Sequence, residues 1–183
     1  MVASALYRLA QPDQVDSLGI VLYRSGIASN RLDPATPLLG PCGGGALYSC
    51  ELLRAVQALD TTGQVFDPHF FCYAEDTDLA LRARALGYRC AFAPAARLLH
   101  HGSLASGGTG LNPFIAYHGL RNSLFALIKT LPAGFLARNL GWILLMQAAV
   151  SFKYLVKGHP GLLWRVYRDL ARALPRLLRQ RRH

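Results

Sequence analysis

Acidic residues are scarce in this sequence, and beyond position 78 they almost vanish. Ten Asp and Glu stand against twenty Lys and Arg in 183 residues, a formal charge of +10, and Asp169 is the only acid after Asp78. Charged residues of either sign make up only 16%, against 52% hydrophobic residues and a mean hydropathy of +0.21, which excludes a disordered chain. No C-x-x-C pair and no metal-type spacing links Cys42, Cys50, Cys72 and Cys90, so a cysteine-built zinc or redox motif is not expected. In so apolar a chain the four read as buried, reduced thiols, which suits a cytosolic setting. "MVASALYRLAQPDQVDS" lacks the basic start and long apolar stretch of a signal peptide. No internal repeat is present. The longest charge-free apolar run in the second half, Leu140 to Phe152, sits between Arg138 and Lys153 and falls short of the ~20 residues that cross a bilayer.

What is there divides unevenly. Residues 1–40 read as irregular, with short strand-like pieces such as "GIVLY" at 19–23. "SCELLRAVQAL" predicts a helix capped by Ser49, with Leu52, Leu53, Val56 and Leu59 on one face. A second helix is expected from Thr77 or Asp78 to Leu86, with Leu79, Ala83 and Leu86 together and Gly87 as its terminator. "YRCAFAP" reads as a strand ended by Pro94, "ARLLHH" as a second short extended piece, and "GSLASGGTG" as a flexible loop. From Phe114 the pattern is helical. In "GLLWRVYRDLARALPRLLRQRRH", Leu163, Val166, Leu170, Leu174 and Leu177 share one face and five arginines another, with a kink expected at Pro175. That amphipathic pattern is the one seen in helices lying on a membrane surface. The sequence pI is near 10, but these arginines lie opposite leucines and no nucleic-acid module is present, so nucleic acid is not an expected partner.

The carboxylates that do exist are gathered. "FCYAEDTDLALRARALGY" holds Glu75, Asp76 and Asp78 within four positions, behind an aromatic run and ahead of a helix. One reading is structural: Asp78 caps the helix, and Glu75 and Asp76 favour its positive end. The other is chemical: one carboxylate acts as a general base on a substrate hydroxyl while its neighbours orient it or hold a metal-bound substrate. Spacing alone leaves both open.

The order of elements adds a third consideration. "CGGGALYSCELLRAV" precedes "FDPHFFCYAEDTDLALRARALGYRCAFAPAARLLHHGS", and "YHGLRNSL" follows. This resembles the C-terminal part of bacterial glycosyltransferase family 2, especially its non-processive, rhamnosyltransferase-like members, over about residues 13–124. The resemblance implies an α/β fold, part of a GT-A-type nucleotide-diphospho-sugar transferase domain with a mainly parallel sheet, at residues 1–124. A helical, basic, membrane-associated tail at 125–183 would follow. By position in the motif it implies Asp76 as the base and Glu75 as an acceptor-orienting neighbour, with Asp78 left as a cap. Gly43, Gly44, Gly45 and Arg121 would contact substrate, and His100 would ligate a divalent cation, Mn²⁺ or Mg²⁺, on the donor diphosphate; imidazole suits Mn²⁺ better.

The implied reaction moves a sugar, with inversion, from a nucleotide-diphosphate donor to a glycan or lipid-linked acceptor in cell-envelope polysaccharide synthesis. It would take place in the cytoplasm, against the inner face of an anionic cell membrane. A D-x-D motif upstream of the glycines is missing, so the chain is expected to represent the C-terminal part of such an enzyme, with an incomplete cation site. Q-x-x-R-W is missing too, which argues against processive polymer synthesis. The competing reading is a catalytically inactive, truncated basic protein of the membrane surface.

Overall fold

The computed structural model describes residues 1–101 and 112–181. The expected loop at 102–110 therefore lies outside the described residues. The first 40 residues are more regular than their sequence suggests. β1 (Val2–Arg8) and β2 (Gln11–Ser17) pair antiparallel, and β3 (Ile20–Leu22) pairs with β4 (Ala28–Asn30) in a separate ribbon. β1 is the centre of the main sheet, with Ala3, Ala5 and Leu6 buried. Along one edge it meets β2 and the two-residue β5 (Ala46–Leu47), both antiparallel; along the other it meets β6 (Ala91–His100), parallel. The sheet is therefore mixed, not mainly parallel: only the β1–β6 pairing, among the described strands, runs parallel.

β6 is one strand where the sequence suggested two. Its ladder steps from Ala93 opposite Ser4 to Arg97 opposite Ala5, so residues 94–96 drop out of register. Pro94 sits in that gap, where its missing N–H interrupts no bond.

The helices follow the sequence more closely. α1 (Cys50–Leu59) starts at Ser49, whose hydroxyl accepts from the Leu52 N–H, and it buries Leu52 and Val56 against Leu79 and Ala83 of α2 (Glu75–Ala85). Gly87 follows α2 with φ +87°, as a left-handed terminator requires. α3 (Pro113–Thr130), α4 (Ala133–Val156) and α5 (Pro160–Gln180) complete the chain, and α3 runs unbroken through residues 124 and 125. α5 continues through Pro175. Its leucine stripe packs on protein: Leu163 joins Ala116 and Tyr154, while Leu177 joins Phe70, Phe125 and Ile143. The face expected to meet a membrane is thus largely used up inside the fold. α4, at 24 residues, is long and apolar enough to cross a membrane by length and composition, because its helical span extends well past the charge-free run at both ends. The cysteines are free, but none is fully buried: three are half-buried and Cys50 is exposed.

Asp78 is the largest departure. It lies inside α2, fully buried, and caps nothing. Lys129 of α3 places its ammonium 3.1 Å from both carboxylate oxygens of Asp78 and 2.9 Å from Asp67, while Arg82 Nε donates to Asp78 at 2.8 Å. Asp60 contacts Lys129 and Arg82 at 3.8 and 3.3 Å, and Gln180 of α5 donates to Asp67 at 3.0 Å. Burial pushes the Asp78 carboxyl up, while the charges of Lys129 and Arg82 pull it down. Removing one member of such a buried set leaves the others uncompensated. Lys129→Met is therefore expected to cost about 3–5 kcal/mol in chemical unfolding. Lys153→Met, at an exposed position, should stay within about 0.5 kcal/mol of the parent.

Candidate functional site

The segment that presents the acids is held in a conformation side chains seldom adopt. Phe71, Tyr73 and Ala74 have φ of 64°, 66° and 62°, each left-handed without being glycine. Such residues cost of order 1–3 kcal/mol apiece unless their surroundings enforce them. Asn122 does the enforcing. It is fully buried, and its Nδ2 lies 2.7–2.8 Å from the carbonyls of Phe70, Cys72 and Tyr73. Arg121 grips the same loop from outside: Nη2 donates to the His69 and Phe70 carbonyls at 3.1 Å, and Nε donates to Asn122 Oδ1. The Arg-Asn pair is a clamp on the acidic loop. Arg121, expected to meet substrate, spends these donors and Nη1, which reaches the Tyr117 hydroxyl at 3.3 Å, within the protein, and lies over the Tyr117 and Phe125 rings.

Asp76 emerges in the first turn of α2, half-buried. Its Oδ2 accepts from the Gly43 N–H at 2.9 Å and its Oδ1 from the Thr77 N–H at 2.7 Å. Thr77 Oγ1 also donates to Oδ1, at 3.4 Å, so Oδ2 is the oxygen that keeps a further lone pair. Glu75 lies beside it with Oε2 buried and without a hydrogen-bond partner among the described residues. Burial raises the Glu75 pKa above its ordinary value, and the Asp76 charge adds to the rise.

The three glycines form a short 3₁₀ turn, Gly43–Gly45, that passes close to β1 and β6. A Cβ on Gly45 would stand 2.6 Å from Leu6, and one on Gly44 would stand 3.1 Å from His100 Nε2. Only glycine lets the backbone come so near. His100 closes the far side: its Nδ1 is 2.7 Å from Asp16 Oδ2, which fixes the ring and leaves Nε2 toward Gly44.

Gly43, Glu75 and Asp76 border two cavities. The larger, about 790 Å³, extends from them past Gly44, Asp16 and His100; the smaller, about 540 Å³, is walled by Gln64, Phe66, Pro68 and Phe71. A ring cluster of Phe71, Phe114 and His118 stands beside them, with Phe71 76% exposed.

The structure thus brings together Gly43, Gly44, Glu75, Asp76 and His100 around the larger cleft, sets Gly45 against β1, and holds Arg121 back as a clamp. Sequence reasoning missed Asp16, 84 positions from the histidine it orients, and the scaffolding part played by Asn122. The resemblance implies a divalent cation, and the fit is partial. Among the described residues no group of three His, Cys, Asp or Glu side chains is poised to hold a metal ion. His100 Nε2, braced by a carboxylate in the manner of many metal-binding histidines, offers a single position.

Because the Glu75 pKa is raised by folding, the native state binds a proton more tightly than the unfolded chain does. Glu75 is therefore tolerated below its ordinary value of 4.5 and weakens the fold as pH climbs through the raised one. Glu75→Gln should match the parent's melting temperature at about pH 4 and exceed it at about pH 8, in paired thermal melts.

No known family pattern matches the chain. Over 137 residues, covering 74% of its length, it is 29% identical to an N-acetylglucosaminyl-diphospho-decaprenol L-rhamnosyltransferase present in two strains of Mycobacterium tuberculosis. A stretch of 54 residues is 37% identical to the methylmalonyl-CoA decarboxylase subunit alpha of Propionigenium modestum, but it covers only 10% of that protein. The match to the rhamnosyltransferases spans 41% of their length, and it relates this mixed α/β chain, distantly, to glycosyltransferases.

Proposed function

We propose that this chain carries the acceptor-activating part of an inverting glycosyltransferase of family 2, moving a sugar from a nucleotide-diphosphate donor to a glycan or lipid-linked acceptor of the cell envelope. The observation that carries the reading is the position of Asp76. Its carboxylate is fixed by two backbone N–H groups at a point where two cavities meet. An inverting transfer needs such a point, because donor and acceptor approach the anomeric carbon from opposite sides.

In this reading the larger cleft, passing Gly43, Gly44 and His100, receives the donor sugar and its diphosphate. The smaller cavity, with aromatic walls at Phe66 and Phe71 and a polar Gln64, receives the acceptor. The acceptor hydroxyl attacks the anomeric carbon, its proton passes to Asp76, and the bond from that carbon to the diphosphate oxygen breaks. The bonding pair leaves with the nucleoside diphosphate. Glu75, whose buried Oε2 has no partner among the described residues and whose pKa is raised by burial, orients the acceptor hydroxyl beside the base. His100, held by Asp16, accepts from a donor hydroxyl through Nε2 or would supply one ligand to a divalent cation. The distant rhamnosyltransferase similarity supports the same class of donor and a lipid-linked acceptor.

Calorimetry with a panel of UDP-, GDP- and dTDP-sugars tests the donor assignment. At least one should bind saturably, and Gly44→Val, whose side chain would meet His100, should weaken that binding about tenfold or more. Unchanged binding by Gly44→Val would move the donor out of this cleft.

A further inference from the structure

α4 leaves one side uncovered. Asn139, Ile143 and Tyr154 face the protein, while Leu140, Leu144, Ala148 and Phe152 recur every fourth residue on the opposite side, all exposed. Leu145, Leu155 and Val156 widen that stripe, and Trp142 stands at its margin, 56% exposed. No acid occurs in α4, and between Leu140 and Phe152 the face carries no charge at all. Arg138 lies before this stretch, and Lys153 and Lys157 lie after it. An apolar strip of this length edged by cations matches the acyl chains and anionic headgroups of a lipid surface.

Hydropathy alone would let α4 cross the bilayer, but α5 forbids that. The two helices form a short-linked antiparallel hairpin: Ser151 Oγ meets Tyr167 OH at 2.7 Å, Tyr154 packs with Leu163, and Ile143 packs with Leu177. A spanning α4 would carry α5, with Arg165, Arg168, Arg172, Arg176 and Arg179, into the hydrocarbon. A second copy is disfavoured by charge as well. Two such faces meeting antiparallel would set Arg138 of one copy against Lys153 of the other.

We propose that α4 lies in the plane of an anionic bilayer, its Leu140–Val156 face immersed at the headgroup boundary, with the arginines of α5 kept out of the hydrocarbon. α4, not the leucine stripe of α5, is then the membrane-contacting element. Through Ile143 it shares a core with Phe70, so the bilayer contact is mechanically continuous with the acidic loop. This surface goes beyond the glycosyl-transfer reading and stands or falls without it.

The test is co-sedimentation of the full chain with vesicles of equimolar phosphatidylglycerol and phosphatidylcholine, and with phosphatidylcholine alone. Binding should favour the anionic vesicles, fall with salt, and be released by an alkaline carbonate wash. L144E/L145E alters two residues that are 59% and 60% exposed, so its circular dichroism should match the parent's while its partitioning falls about tenfold or more. Undiminished binding by that variant, or no binding by the parent, would overturn the proposal. So would retention through the carbonate wash, which marks a spanning helix. A parent that is dimeric and becomes monomeric on L144E/L145E substitution would assign the face to a second copy instead.

Discussion

Everything near the acidic loop depends on one buried ammonium. Lys129, 5% exposed, reaches Asp60 and Asp67 in the stretch between α1 and α2, and Asp78 inside α2, while Arg82 bridges Asp60 and Asp78 from the other side. Three carboxylates share the Lys129 ammonium and the Arg82 guanidinium, with His69 Nδ1 2.7 Å from Asp67. Charges buried this deeply are held by geometry, because a shift of any one member leaves another unpaired in a medium that cannot solvate it. The arrangement ties α2 to α3, and through Gln180 it reaches α5. Together with the Tyr117–Asp169 hydrogen bond between α3 and α5, this locks the helices in register.

That lock is what allows a strained loop to be placed accurately. Phe71, Tyr73 and Ala74, left-handed in backbone, would relax if α3 could move, since Asn122 on that helix holds the interleaved carbonyls of Phe70, Cys72 and Tyr73. Asp76 follows the loop directly and is caught from its far side by Gly43. The carboxylate is therefore positioned from two directions: by the charge network and Asn122 behind it, and by the glycine turn in front. Preorganisation of this kind is what a general base needs, since proton transfer demands hydrogen-bond reach to the acceptor oxygen.

The sequence disclosed the parts of this that are local. Ser49 as a cap, Gly87 as a terminator, and the apolar spacing of Leu52, Val56, Leu79 and Ala83 all depend on residues within a turn or two of each other. β1 and β2 were hidden because "VASALYR" is rich in small residues and "QPDQVDS" is polar with a proline; their pairing, not their propensity, makes them strands. Asp78 looked like a cap because an aspartate near a helix start commonly is one, and its true partner lies 51 positions away. Asp16 and His100 are separated still further, and no spacing rule links them. Arg121 and Asn122 carried a motif signal whose structural meaning appeared only once the loop carbonyls were in view. The leucine face of α5 reads the same in sequence whether lipid or protein covers it, and here Leu163, Val166 and Leu177 are covered by protein.

As proposed, Asp76 acts as a base at the meeting point of two cavities. The measurement that tests it most directly is sugar transfer from nucleotide-diphosphate donors to a polyprenyl-diphosphate-linked acceptor, comparing the parent with Asp76→Asn. The substitution is expected to lower turnover by about 10²–10⁴-fold while calorimetric donor binding persists. Turnover by Asp76→Asn close to that of the parent would contradict it.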